Sequence, residues 1–180
     1  MPKYKYVLEE NDSDNEEETE NKEIRVENNH IYFYVDINKE TILDLNINLK
    51  KLSDKLLIYS IQNDCKPAPV YLHINSDGGE IFAALSTVDT IRNLKVPVYS
   101  IIEGSAASAA TLISVVCEKR FITKHSHMLI HQLSSGFWGK MNEIEDEMRN
   151  LNRLMKVLID IYSEYTNIKE SKLKKVLKKD

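Results

Sequence analysis

Two short apolar runs rich in β-branched residues, at 70–75 and 96–102, are each followed at once by a helical pattern, at 80–94 and 105–117. Parallel neighbours in a sheet need a crossover of about a dozen residues or more, usually a helix, and a helical pattern separates these two runs. Strand, helix, strand, helix in this rhythm is the signature of an α/β domain, with helices packed on the sheet and right-handed crossovers. The flanking sequence continues it. The aromatic stretch HIYFYVDI at 30–37 reads as a strand, and residues 41–62 place Ile42, Leu45, Leu49, Leu52, Leu56 and Tyr59 on one helical face. Residues 120–123 and 127–131 are two further short strand candidates. A chain of 180 residues is long enough for one domain with its own core, and no repeat of solenoid period is visible.

The longest regular pattern comes late. Met141, Ile144, Met148, Leu151, Met155, Leu158, Tyr162 and Tyr165 step alternately by three and four, which predicts one long helix with an a/d seam. Such a seam exceeds what a single small core needs, so the helix is expected to project and to pack on a neighbouring subunit.

Formal charge is −4, unevenly spread. Residues 9–23 hold nine acids and one lysine, and residues 169–180 hold six lysines and two acids. The acidic stretch buries too little to fold alone, so residues 1–24 are expected to form a disordered extension. A net-acidic chain is not the composition of a nucleic-acid-binding domain. The longest uncharged apolar stretch, 104–117, is too short to span a bilayer, and the N-terminus lacks the apolar core of a signal peptide. No membrane segment and a cytoplasmic location are expected. Cys65 and Cys117 are too few for a disulfide scaffold and match no zinc spacing; Cys117 reads as core packing.

Three places join reactive residues to backbone that a substrate can approach closely. Gly78-Gly79 ends the run at 70–75, where paired glycines leave N–H groups unobstructed for a phosphate nest or an oxyanion hole. A plain strand-to-helix turn uses the same residues, and the ending of a Walker loop is absent. The second place is Gly104-Ser105-Ala106-Ala107-Ser108-Ala109-Ala110, where a strand gives way to a helix N-terminus that favours developing negative charge. Ser105 suits an N-cap; Ser108, in the first turn, is either a nucleophile or a buried serine bonded back to its helix. The third is His131, placed like a general base at the end of an apolar run. His125 and His127 read as surface or structural, His73 as a sheet-face residue, and His30 as lying at a loop edge. No pair of histidines has the spacing and carboxylate partner of a metal site.

Together these strings resemble the proteolytic subunit of the Clp protease, a serine peptidase of the crotonase-like superfamily. Tyr71-Leu72-His73-Ile74-Asn75-Ser76-Asp77-Gly78-Gly79 is similar to the family's I-N-S-P-G-G, with Asp77 in place of Pro. The Ala-Ala-Ser ending at Ser108, then Met128-Leu129-Ile130-His131-Gln132, follow in the family's order, and the long helix resembles its handle. The resemblance implies an α/β, crotonase-like fold of repeated β-β-α units with a projecting handle helix. The peptidase domain would cover residues 25–180, short at its C-terminus relative to the family. Ser108 would be the nucleophile, His131 its base and Asp180, aligned from the turn at Tyr165-Thr166-Asn167, the triad acid. The N–H groups of Gly79 and Ala109 would form the oxyanion hole.

The same resemblance implies an endopeptidase acting on unfolded polypeptides inside a homo-oligomeric ring, two rings being stacked. An AAA+ unfoldase of the Clp type would be its partner and the user of ATP, the chain itself needing neither metal nor organic cofactor. Two other readings compete: a ring subunit that keeps the fold without a working triad, and a crotonase-type enzyme acting on acyl-CoA thioesters. The presence of Ser108 and His131 together favours the peptidase.

Overall fold

A computed structural model describes residues 24–177. The acidic extension expected at 1–24, Ile24 apart, and the candidate triad residue Asp180 lie outside the described residues. In chain order the elements are β1 (Ile24–Glu27), β2 (His30–Phe33), α1 (Lys39–Gln62), β3 (Val70–Ser76), α2 (Ile81–Asn93), β4 (Val98–Ala107), α3 (Ala109–Val115), β5 (Lys119–Ile122), β6 (His127–Leu129), α4 (Met141–Tyr165) and α5 (Glu170–Val176). The six strands form one sheet in the order β1-β2-β3-β4-β5, with β6 also paired to β4. Among the described residues only β1 and β2 pair antiparallel. β5 pairs with Tyr99 to Ile102 of β4 and β6 with Ser105 to Ala107, so both occupy one edge of β4, end to end. This is the α/β arrangement the sequence predicts.

Side chains alternate across each strand with period two, and the sequence keeps that period. Ile31 and Phe33 of β2, Val70, Leu72 and Ile74 of β3, and Ile102 of β4 join Leu45 and Leu49 of α1, Ala84 and Val88 of α2, and Leu112 and Ile113 of α3 in one core. His30, Tyr32, Tyr71, His73 and Tyr99 take the alternate positions. α1 begins where Asn38 accepts the N–H groups of Glu40 and Thr41 and Thr41 reciprocates, a capping box.

α4 has the bounds its three-four stepping predicts. Near its C-terminus Leu158 and Tyr162 are buried, whereas Met141 and Met148 near its start are 73% and 58% exposed. The first half of α4 therefore stands off the body of the chain with its apolar seam uncovered. The tail after it forms α5, in which Leu173, and Leu177 just beyond, one helical turn apart, are buried. No helix among the described residues is long and apolar enough to cross a membrane.

Candidate active site

β4 continues past Gly104 to Ala107, and α3 starts only at Ala109. The expectation of a helix from 105 is therefore corrected. Ala106 and Ala107 favour helix in isolation, but they pair with Met128 and Leu129 of β6, and pairing outweighs propensity. Ser105 is a strand residue, not an N-cap; its N–H donates to Asn75 Oδ1 at 3.0 Å.

Ser108 is the single residue between β4 and α3. It holds φ 52° and ψ −125°, a conformation that costs a residue bearing a Cβ on the order of 1–3 kcal/mol. Its backbone is held on both sides. The N–H donates to the Leu129 carbonyl at 2.9 Å, and the carbonyl accepts the Thr111 N–H at 3.1 Å and the Thr111 hydroxyl at 2.6 Å. Although Ser108 occupies the N-cap position, its side chain makes no capping bond. Its hydroxyl is thus not used by the helix that follows.

The Gly78-Gly79 turn packs directly against this point. Their φ angles are 98° and 141°, a region that favours glycine. A Cβ on Gly78 would lie 2.8 Å from Ser108 Cβ and 3.1 Å from Ala109 N. Ile37, after β2, donates to the Gly78 carbonyl and accepts from the Glu80 N–H, each at 2.8 Å. That bridge leaves the N–H of Gly79 outside it. Ala109 opens α3, so its N–H has no acceptor one turn back. The Gly78-Gly79 turn, Ser108 and the start of α3 thus meet where three chain segments converge.

Pairing between β4 and β6 sets Ala107 opposite Leu129, so His131 leaves β6 beside the strand end from which Ser108 emerges. Its Nδ1 is 2.7 Å from the Gln132 carbonyl. A carbonyl can only accept, so the neutral ring carries its proton on Nδ1 and a lone pair on Nε2. His125 and His127 are exposed, as expected. Cys117 is buried, and burial pushes its thiol up to about 12 against the opposing influence of Ser100 and Arg120, which leaves it inert. Among the described residues no group of three or more His, Cys, Asp and Glu is placed to hold a metal ion.

One polar cluster escapes sequence reasoning. His30 is the first residue of β2 rather than a loop edge, and its Nδ1 lies 2.8 Å from His73 Nε2. His73 lies on a sheet face as predicted, with Nδ1 3.0 Å from Glu103 Oε2, off the line of a hydrogen bond. The Tyr34 hydroxyl donates to the same carboxylate oxygen, and Tyr32 stacks on His73 with ring centroids 4.4 Å apart. The signal was the period-two spacing of His30, Tyr32 and Tyr34 against Tyr71 and His73.

Burial, then the neighbouring His73, lower the His30 pKa, with Glu27 and Glu103 opposing. Burial alone raises Glu103, but Tyr34 and His73 together outweigh it and hold the carboxyl low. Both shifts act in the same direction. The unfolded chain takes up a proton at His30 near 6.5 and at Glu103 near 4.5 while the folded chain resists. Stability contributed by both groups is therefore present above pH 6.5 and is lost on acidification, first through His30 and then through Glu103. Thermal midpoints measured across this range should fall in two stages, with His30→Gln removing the first. Equal slopes in the variant and the parent would contradict this.

Residues 25–180 match the family model described as Clp protease. The chain is 35% identical over 146 residues to the ATP-dependent Clp protease proteolytic subunit 2 of Treponema denticola, covering 79% of this chain and 72% of the relative. It is 32% identical over 128 residues to the ATP-dependent Clp protease proteolytic subunit of Deinococcus radiodurans, covering 70% of this chain and 62% of the relative. A family match over residues 25–180, most of the chain, with relatives above 30% identity, shows that the chain belongs to the Clp protease family, a family of peptidases.

Proposed function

We propose that the chain is a Clp-type serine endopeptidase, with Ser108 as nucleophile, His131 as general base and the N–H groups of Gly79 and Ala109 as the oxyanion hole. The observation that carries this reading is Ser108 itself. It is a strained, doubly anchored serine at a helix N-terminus, its hydroxyl uncommitted to capping and its Cβ against the Gly78-Gly79 turn.

In the first half-reaction Ser108 Oγ attacks the peptide carbonyl carbon while His131 Nε2 takes the hydroxyl proton. Negative charge develops on the carbonyl oxygen, where preorganised N–H donors are worth most. Collapse of the adduct breaks the C–N bond, and the imidazolium returns the proton to the leaving amine. Water then attacks the acyl-enzyme with the same base, releasing the acid and restoring Ser108. This chemistry draws on protein groups alone and calls for no metal or organic cofactor. Asp180 is assigned the role of accepting the His131 Nδ1–H and stabilising the imidazolium, in place of the Gln132 carbonyl that accepts from Nδ1 in this structure; either acceptor supports the tautomer that a base needs.

The reading also gives the chain a homo-oligomeric ring, two rings stacked, in the cytoplasm. The uncovered seam of α4, with Met141, Ile144 and Met148 exposed, is the surface it offers to a neighbour. An ATP-driven AAA+ unfoldase of the Clp type would supply unfolded substrate.

The test is incubation with casein, with new peptide ends identified by mass spectrometry, beside hydrolysis of an acyl-CoA thioester. Peptide cleavage that disappears in Ser108→Ala is expected. Thioester turnover that survives that substitution, with casein left intact, would overturn the reading.

A further inference from the structure

The carbonyl of Ser108 and the N–H of Ala109 belong to one planar peptide unit, so fixing the direction of one fixes the other. That carbonyl accepts two hydrogen bonds from Thr111, one from the N–H at 3.1 Å and one from Oγ1 at 2.6 Å. Thr111 Oγ1 is also 2.5 Å from the hydroxyl of Tyr162 on α4. Thr111 is fully buried and Tyr162 nearly so.

The polarity of this chain follows from the groups in it. A carbonyl accepts only, so the single proton of the Thr111 hydroxyl is committed to Ser108. The Tyr162 hydroxyl must therefore donate to Thr111. Burial pushes the Tyr162 phenol up to about 12, so it keeps its proton at any working pH.

We propose that Thr111 and Tyr162 are positioning residues for the oxyanion hole. A one-way hydrogen-bond chain from α4 through Thr111 clamps the peptide between Ser108 and Ala109 and so aims the Ala109 N–H. A carbonyl that accepts two bonds also polarises its own peptide, making the N–H at the other end a stronger donor. The clamp acts where charge develops, so it affects the chemical step rather than substrate binding. It also ties the nucleophile's backbone to the same helix whose first half stands clear of the body. The inference rests on Ser108 being the nucleophile.

The experiment measures the second-order rate of Ser108 phosphonylation by a fluorophosphonate, with fluoride displaced, followed by intact mass over time, together with kcat and KM for a blocked peptide. Thr111→Val keeps the shape and removes the hydroxyl; it should react about 10-fold more slowly and lose kcat with KM unchanged, a smaller effect than outright loss of an oxyanion donor. Thr111→Ser restores the donor and should react within about twofold of the parent. Tyr162→Phe should slow phosphonylation about threefold, and the double variant Thr111→Val/Tyr162→Phe should be no slower than Thr111→Val alone, since the path runs through Thr111. Circular dichroism checks that each variant is folded; if Thr111→Val is not, Tyr162→Phe carries the test.

Phosphonylation of folded Thr111→Val, or of Tyr162→Phe in its place, at the parent rate overturns the clamp while leaving the nucleophile assignment intact. So does a Thr111→Ser variant as slow as Thr111→Val, which would make packing the cause. Absence of labelling on the parent, or labelling that persists in Ser108→Ala, overturns the nucleophile assignment and the clamp with it.

Discussion

Gly79→Ala is expected to lower kcat by at least about 100-fold and to destabilise the fold. The added Cβ would sit 2.1 Å from the Ile37 carbonyl oxygen, closer than any non-bonded contact allows. Ile37 cannot yield by a rotamer change, because the clash is with backbone that is itself bonded to Gly78 and Glu80. Alanine at φ 141° adds backbone strain on the order of 1–3 kcal/mol. The turn must therefore shift, carrying with it the Gly79 N–H that the proposed mechanism assigns to the oxyanion hole, and loss of one such donor costs roughly 10²–10³ in kcat. Peptide hydrolysis and the thermal midpoint check both parts. Gly136→Ala is the control: nothing lies within 4 Å of a Cβ there, and it should behave as the parent. A Gly79→Ala variant with parental kcat would remove Gly79 from the site.

Ser108→Ala and His131→Ala should each reduce peptide hydrolysis by about 10⁴-fold or more, and the double variant should be no worse than either single one. In the proposed mechanism the two groups act as one unit: without its base the hydroxyl is a poor nucleophile, and without the hydroxyl the base has no proton to take. Additive losses would mean that they serve separate steps. Both substitutions lie at the ends of β4 and β6 rather than in the core, so thermal midpoints should move little. That separates them from Gly79→Ala, where stability and turnover fall together.

Much of this arrangement is legible in the sequence because it rests on periodicities that tertiary context does not override. The three-four stepping of α4 gives its limits, and the alternation at 70–75 gives β3 together with the turn that ends it. Gly78-Gly79 is readable for the same reason, since paired glycines after a strand leave few conformations to choose among. The junction at Ser108 is not readable. Small residues from Ser105 to Ala107 look like the start of a helix, and only their pairing with β6 keeps them extended. That pairing moves the helix start to Ala109 and leaves Ser108 to absorb the change of direction at a positive φ. β1 was hidden by the acidic run before it, and α5 by lysines that obscure the one-turn spacing of Leu173 and Leu177. The Tyr162 hydroxyl gave no signal either, since its ring fits the apolar seam and its polar tip finds Thr111 only when α4 packs on α3.

Activation of Ser108 is the centre of the account, and intact-mass spectrometry after treatment with a fluorophosphonate tests it most directly. One phosphonyl adduct on the parent chain, with fluoride displaced by Ser108 Oγ, and no adduct on Ser108→Ala is the predicted result. A folded parent chain that stays unmodified, or an adduct that persists in Ser108→Ala, would contradict it.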